Sequence, residues 1–189
     1  LLQNMEEKYA LVIGSEEISK IMDFKDRNTC VLFGDGAGAL VVGNGDGIFA
    51  SYSNSAGNLE ALKAPAISKS NQDHYLTMAG QEVFKFAIKV IPESINAILE
   101  KTNLTLDEID YVVCHQANYR IIKNVYKKMK SSEDKFYMNL QEYGNTSAAS
   151  IPLALGEMNE KGMLRPGDKI ICVGFGGGLT WGATLMEWS

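Results

Sequence analysis

Short apolar runs closed by glycine alternate along the chain with longer stretches in which apolar residues recur every three or four positions. The run Tyr9 to Ile13, ended by Gly14, predicts a buried strand. Thr29 to Phe33 predicts a second strand, broken by the glycine turn Gly34–Gly38 and resumed at Ala39–Val42. Gly43-Asn44-Gly45-Asp46-Gly47 is turn chemistry and a seam between two substructures. Ile48 to Tyr52 predicts a strand, followed by a polar loop of roughly 25 residues, longer than most structureless connections.

From Met78 onward the period changes. Val83, Phe86, Ala87, Val90, Ile91, Ile95, Ile98 and Leu99 form a helical stripe, and Pro92 inside it predicts a kink or two consecutive helices. Ile109 to Val113 predicts a strand running straight into His115, and the next helix covers residues 117–130. Phe136 to Leu140 predicts a short strand. Gly144-Asn145-Thr146-Ser147 then opens a helix that Gly162 ends. Arg165-Pro166-Gly167-Asp168 turns the chain into a strand from Lys169 to Val173, and a last strand runs from Ala183 to Trp188.

An internal echo suggests two related halves. Phe33-Gly34-Asp35-Gly36 before Ala39–Val42 resembles Phe175-Gly176-Gly177-Gly178 before Ala183–Met186. A long α/β stretch precedes the second copy and almost nothing precedes the first, so the expectation is residues 1–46 as the end of one half and 47–189 as the other. Chance similarity of two glycine hairpins is the alternative.

Composition narrows the class. The 189 residues are 46% hydrophobic and 22% charged, which excludes disorder, collagen and a disulfide-stapled miniprotein. Eighteen Lys+Arg against 23 Asp+Glu leave a net charge of −5, so no global basic field recruits nucleic acid. The three cysteines, at 30, 114 and 172, form no C-x-x-C pair, which indicates no metal site and fits a reducing cytoplasm. No apolar run approaches the roughly 20 residues that span a bilayer. The start is too polar for a signal peptide and enters without Met in a helical pattern, so the expectation is part of a longer polypeptide.

Several segments carry candidate chemistry, each with a bland alternative. Gly34-Asp35-Gly36-Ala37-Gly38-Ala39 fits G-x-G-x-x-A, but a strand follows where a dinucleotide site needs a helix. Phe175 to Gly178 is either a tight hairpin or a turn whose backbone N–H groups stabilise an oxyanion. His115 ends a strand, where α/β folds bind ligands; it is either satisfied within the fold or a neutral donor to an oxyanion. Asn145 is either a helix cap or a second donor, with the small residues Ser147-Ala148-Ala149-Ser150 around it. His74 reads as a surface residue.

The helix after His115 is cationic on one side. Arg120, Lys123, Lys127 and Lys130 fall within about 80° of arc. Residues 118–130 hold five basic residues and no acid, so the rest of the chain carries −10. That face either is merely solvated or docks an acidic partner.

Taken together, these segments resemble the β-ketoacyl-acyl-carrier-protein synthase III family of thiolase-fold condensing enzymes. The motifs are His115-Gln116-Ala117-Asn118-Tyr119-Arg120, Tyr143-Gly144-Asn145-Thr146-Ser147-Ala148-Ala149-Ser150-Ile151-Pro152 and Phe175-Gly176-Gly177-Gly178-Leu179-Thr180-Trp181-Gly182. Phe33 to Gly38 and Thr77 to Phe84 match in the same order, so the resemblance covers essentially the whole chain. It implies an α/β thiolase-like fold: a C-terminal half with a mixed five-stranded sheet flanked by helices, plus the tail of an N-terminal half.

The activity implied is an acyltransferase that condenses an acyl-CoA primer with malonyl-carrier protein by decarboxylative Claisen condensation, initiating fatty acid synthesis. It needs no cofactor, because CoA and phosphopantetheine thioesters are the substrates. By the same resemblance, His115 and Asn145 assist decarboxylation and the Gly177 backbone serves acyl transfer. Asn118, Gly80 and Phe84 line a pantetheine tunnel. Gln116, Ala117, Asn118, Tyr119, Arg120, Lys123 and Lys127 dock acyl carrier protein. The family's nucleophilic Cys lies on a helix before the strand matching Tyr9–Ile13, so a missing N-terminal segment is a partner, as is a second copy in a homodimer. None of the three cysteines sits in the nucleophile motif, and Cys114 stands where a proline is common. The alternatives are a non-catalytic thiolase-fold half that binds pantetheine or carrier protein, and a ketosynthase III homologue of polyketide-type biosynthesis.

Overall fold

The computed structural model describes residues 8–64 and 75–189. His74 therefore lies outside the described residues. The chain runs β1 (Tyr9–Glu16), β2 (Gly36–Gly43), β3 (Ala50–Ser55), β4 (Leu62–Lys63), β5 (Thr77–Met78), α1 (Gly80–Thr102), β6 (Tyr111–Cys114), α2 (Tyr119–Lys128), α3 (Leu140–Tyr143), α4 (Ser150–Glu160), β7 (Lys169–Gly176) and β8 (Thr180–Glu187).

A mixed sheet in the order β3-β8-β7-β6 is the centre of the molecule, with β6 parallel to β7 and the other pairs antiparallel. The expected fifth strand at Phe136–Leu140 is a correction. Phe136 makes a single parallel bridge to Val112, and the chain turns into α3 within four residues. The Gln116 side chain holds the segment here, accepting from Asn139 N and donating to Tyr137 O, where a strand would use ladder bonds.

Alternation along the sheet sorts the core into two layers. Ile171, Val173, Ala183 and Leu185 face α1 and α2, against Ala87, Ile91, Ile95, Ile98, Ile122 and Val125. On the other face, Val113 and Ile170 pack on Ala154, Leu155 and Met158 of α4. The stripe read from the sequence is thus the buried face of α1. Pro92 does not divide that helix, which stays one element. A proline there cannot donate to the carbonyl of Ile88, and Lys128 of α2 reaches that oxygen with Nζ at 3.5 Å. Asn103, in the left-handed region at φ 55°, ends α1.

The first 46 residues differ most from expectation. Residues 29–32 are turns rather than a strand, because Asp26 accepts from Asn28 N and Thr29 Oγ1 and curls the segment, and Phe33 makes an isolated parallel bridge to Asn145. The hairpin expected around Gly34–Gly38 is absent; β2 pairs instead with β1, in register from Tyr9–Gly43 to Glu16–Gly36. This two-stranded sheet stands apart from the four-stranded one and packs its inner side on the start of α4. Gly14 makes that approach possible, since a Cβ there would lie 2.4 Å from the Ala148 carbonyl oxygen. The outer side is not buried as expected: Leu11, Ile13 and Val41 are 61%, 62% and 72% exposed.

Candidate active site at the ends of β6 and β7

β6 delivers His115 to its carboxyl end, where the His115 amide donates to Val173 O at 2.7 Å and continues the parallel pairing by one residue. The imidazole is half-buried, in a T-shaped contact with Phe175 at 5.2 Å between centroids and with Nδ1 2.7 Å from Ser150 Oγ. Burial pushes its pKa down to about 4, with a backbone hydrogen bond at Ser147 acting in the opposite direction. The ring is therefore neutral at pH 7 and able to donate one proton without carrying charge.

Asn145 is held from both sides. Its amide donates to Leu32 O at 2.9 Å, and its carbonyl accepts from Gly34 N at 2.9 Å, so the 29–34 turns brace it. The side-chain Oδ1 accepts from Ser147 N at 2.9 Å, which orients the amide and leaves Nδ2 as the end that can donate outward. Ser147 itself stands at φ 49°, a left-handed conformation rare outside glycine. Asn145 is not a helix cap: Thr146 precedes the 147–149 turn and Ala149 precedes α4, neither with a side-chain cap bond, and the Asn145 Oδ1 closes a local turn on Ser147 N.

His115, Asn145 and Gly177 all line one cavity of about 770 Å³. Gly80, Phe84, Ala117 and Asn118 line it too, so seven of the residues singled out in the sequence converge there. Asn118 also caps α2, its Oδ1 accepting from Arg120 N at 2.8 Å. Tyr119, Arg120 and Lys127 are exposed outside the cavity, and Lys123 is half-buried over the Tyr119 ring at 5.2 Å.

Gln116 is a correction. Expected on the docking segment, it is 1% exposed, and both ends of its amide are engaged with Cys114 O, Tyr137 O and Asn139 N. A side chain so committed cannot face a partner; it ties the 137–139 segment to β6. Ser150 and Phe175 contact His115 directly, and neither was given a role of its own by the sequence. The only signal for Ser150 was a small residue five positions after Asn145.

A second, more open cavity of about 1000 Å³ shares His115, Ser147, Phe175 and Gly176 with the first. Its floor is the uncovered part of the sheet, with Ser51, Ser53, Cys172, Gly174, Gly182 and Thr184. Cys172 is the one cysteine beside His115 in this lining, and burial pushes its thiol up to about 12. Cys114 is buried, and its thiol is raised further still. Neither is an activated thiolate. Among the described residues there is no group of three or more His, Cys, Asp or Glu able to hold a metal ion, and no helix long and apolar enough to cross a membrane.

Two family profiles match the chain in order: that described as 3-oxoacyl-[acyl-carrier-protein (ACP)] synthase III over residues 1–57, and its C-terminal counterpart over residues 99–188. The chain belongs to the 3-oxoacyl-[acyl-carrier-protein] synthase III family. It is 51% identical to the β-ketoacyl-[acyl-carrier-protein] synthase III of Clostridium novyi, aligning over 100% of its own length and 61% of that protein. The crystal structure of the Aquifex aeolicus synthase III superposes with a TM-score of 0.88 at 43% identity, over 96% of this chain and 58% of that one. The priming β-ketosynthase of the R1128 polyketide pathway gives 0.85 at 33% identity, over 95% and 57% respectively. The fold is thus the thiolase-like fold of the synthase III family, and the chain spans about three fifths of the length of these relatives.

A neutral His115 has a consequence for stability. The unfolded chain binds a proton below about pH 6.5 that the folded site refuses until about pH 4. Folding stability is therefore full above pH 6.5 and falls with pH between these values. About 2 kcal/mol is lost between pH 7 and pH 5 from this group. Urea unfolding of the chain and of His115→Gln should show it: the variant has the shallower dependence over that window.

Proposed function

We propose that this chain is the carboxy-terminal portion of a 3-oxoacyl-[acyl-carrier-protein] synthase III and supplies its decarboxylation machinery. The observation that carries the reading is the convergence of His115, Asn145 and Gly177 on one cavity. In the reaction, the bond between the malonyl α-carbon and its carboxylate breaks, CO₂ leaves, and the electron pair becomes a thioester enolate. His115 and Asn145 donate to the enolate oxygen. The enolate carbon then attacks an acyl thioester on a cysteine, whose C–S bond breaks to release the thiolate, while the Gly177 N–H faces the oxyanion of acyl transfer. Two neutral donors held by Ser150 and Ser147 are preorganised for such a charge, which is where most catalytic stabilisation arises.

The cysteine comes from a segment that this chain does not contain. The open cavity supports this, because it presents small residues beside α4 and meets the first cavity at His115. Its floor of small residues leaves room for a further element beside His115. The chain alone should form no 3-oxoacyl product. Mixed with a separately produced N-terminal segment of a relative carrying the cysteine, it should condense acyl-CoA with malonyl-carrier protein. A stable, correctly assembled complex without condensation would sink the reading.

The acidic carrier protein docks on α2. Arg120 is nearest the cavity, following Asn118 at its rim, and Lys127 continues the exposed face. Arg120→Glu in the assembled enzyme should weaken use of the carrier-bound substrate strongly at low salt. The loss should shrink as salt rises, because exposed charges are screened over about 8 Å at physiological ionic strength. Malonyl-pantetheine without the carrier should be nearly indifferent, and Lys123→Glu and Lys127→Glu should act mainly on association rate. Equal loss with both substrates would assign Arg120 to the fold or the cavity instead.

A further inference from the structure

His115 has two ring nitrogens, and its proposed task requires the proton to be on the one facing the substrate. Nothing in an imidazole by itself enforces that. The residue that does so stands on another element, at the first position of α4. Ser150 is 2% exposed, and its Oγ lies 2.7 Å from His115 Nδ1 and 3.3 Å from the backbone nitrogen of Gln116.

The direction of these two bonds follows from what each group can do. The Gln116 amide can only donate, so it takes a lone pair of Oγ. A helical serine ordinarily gives its proton to a carbonyl of the preceding turn. Here Oγ makes no hydrogen bond to either carbonyl of that turn, and among the described residues Nδ1 is the acceptor within reach of the hydroxyl. We propose that Ser150 is a positioning residue for His115: its hydroxyl donates to Nδ1 and holds the neutral ring as the tautomer that carries its proton on Nε2. This rests on the oxyanion role given to His115 above, and it names the group that makes the ring a donor to substrate rather than an acceptor.

The arrangement also explains why Gln116 is buried. Its backbone N–H fixes the orientation of the Ser150 hydroxyl, and its side chain anchors the same peptide to Cys114 O and Tyr137 O. The donor chain then runs from Gln116 N–H to Ser150 Oγ and from Ser150 O–H to Nδ1, with no titratable group between.

The chain has only two histidines, so the ring can be read directly. In the ¹⁵N-labelled 189-residue protein at neutral pH, long-range ¹H–¹⁵N correlations distinguish a protonated ring nitrogen from a bare one. His115→Gln identifies which set of signals belongs to His115. The expected result is a protonated Nε2 and a bare, hydrogen-bonded Nδ1. Ser150→Ala should shift the Nδ1 signal to that of a bare nitrogen without a donor while the amide spectrum stays dispersed, and Ser150→Thr should restore it. A wild-type ring protonated on Nδ1, or an Nδ1 signal unchanged in folded Ser150→Ala, would overturn the proposal. The wild-type spectrum decides even if Ser150→Ala does not fold. The measurement reads the ring and not turnover, so an Nε2–H tautomer in a chain that never supports decarboxylation would remove the proposed function and leave the positioning intact.

Discussion

Replacing His115 or Asn145 with alanine in the assembled enzyme should lower the rate of malonyl-thioester decarboxylation by about 10²–10³, the usual worth of one oxyanion donor. Acyl transfer from CoA to the cysteine falls far less. The split follows from where charge develops. In the proposed mechanism, decarboxylation places a full negative charge on the thioester oxygen, opposite the two side-chain donors. Acyl transfer would build its charge opposite the glycine turn at Gly177, whose N–H neither substitution removes. The two single losses should not add, because both donors serve one oxygen and Ser147 and Ser150, which orient them, belong to one short segment. Separate assays of CO₂ release and of cysteine acylation check this. Equal loss in both half-reactions would mean that the division of roles is wrong.

Gly14→Ala is the second large effect, and it acts through structure. The added methyl would lie 2.4 Å from Ala148 O, 2.5 Å from its carbonyl carbon and 2.7 Å from Ala149 N. All three are backbone atoms in the turn that leads into α4, so no rotamer change can relieve the contact. The cost should be about 1–3 kcal/mol or more. For a protein of this size each kcal/mol lowers Tm by about 2–4 °C. Because the same turn carries Ser147 and Ser150, the His115 and Asn145 donors should lose alignment as well. Gly156→Ala, in the middle of α4 with nothing within 4 Å of the new Cβ, should instead stabilise by about 0.5–1 kcal/mol. Thermal unfolding of the two variants should move in opposite directions. A neutral Gly14→Ala would show that β1 is not seated on α4 as described.

How far the molecule was legible beforehand depends on whether a segment's partners are local. The helical stripes of α1 and α2 and the strands β6 to β8 follow from period alone, since each buries its apolar face against a neighbour in this chain. Residues 29–33 misled because an apolar run was read without the Asp26 side chain that bends it into turns. Phe136–Leu140 misled for a similar reason: Gln116, twenty residues away, takes over the polar groups that a strand would pair. β1 was expected to be buried from its composition, but among the described residues no element covers Leu11 and Ile13.

The site divides in the same way. His115, Asn145, Gly177, Asn118, Gly80 and Phe84 were named from motif positions, and the fold brings all six to one cavity. Gln116 sits in the same motif as His115, yet it points inward at the step between β6 and α2. Adjacency in sequence gave no hint of that reversal. Ser150 was visible only as a small residue, and its meaning depends on β6 and α4 meeting edge to end.

In the proposed mechanism His115 and Asn145 share one thioester oxygen. A crystal structure of the 189-residue chain with a malonyl-pantetheine analogue, its thioester replaced by an unreactive amide, tests that most directly. The analogue should lie in the 770 Å³ cavity, with its carbonyl oxygen within about 2.7–3.2 Å of both His115 Nε2 and Asn145 Nδ2. An analogue bound elsewhere, or a carbonyl oxygen that meets only one of the two nitrogens, would contradict it.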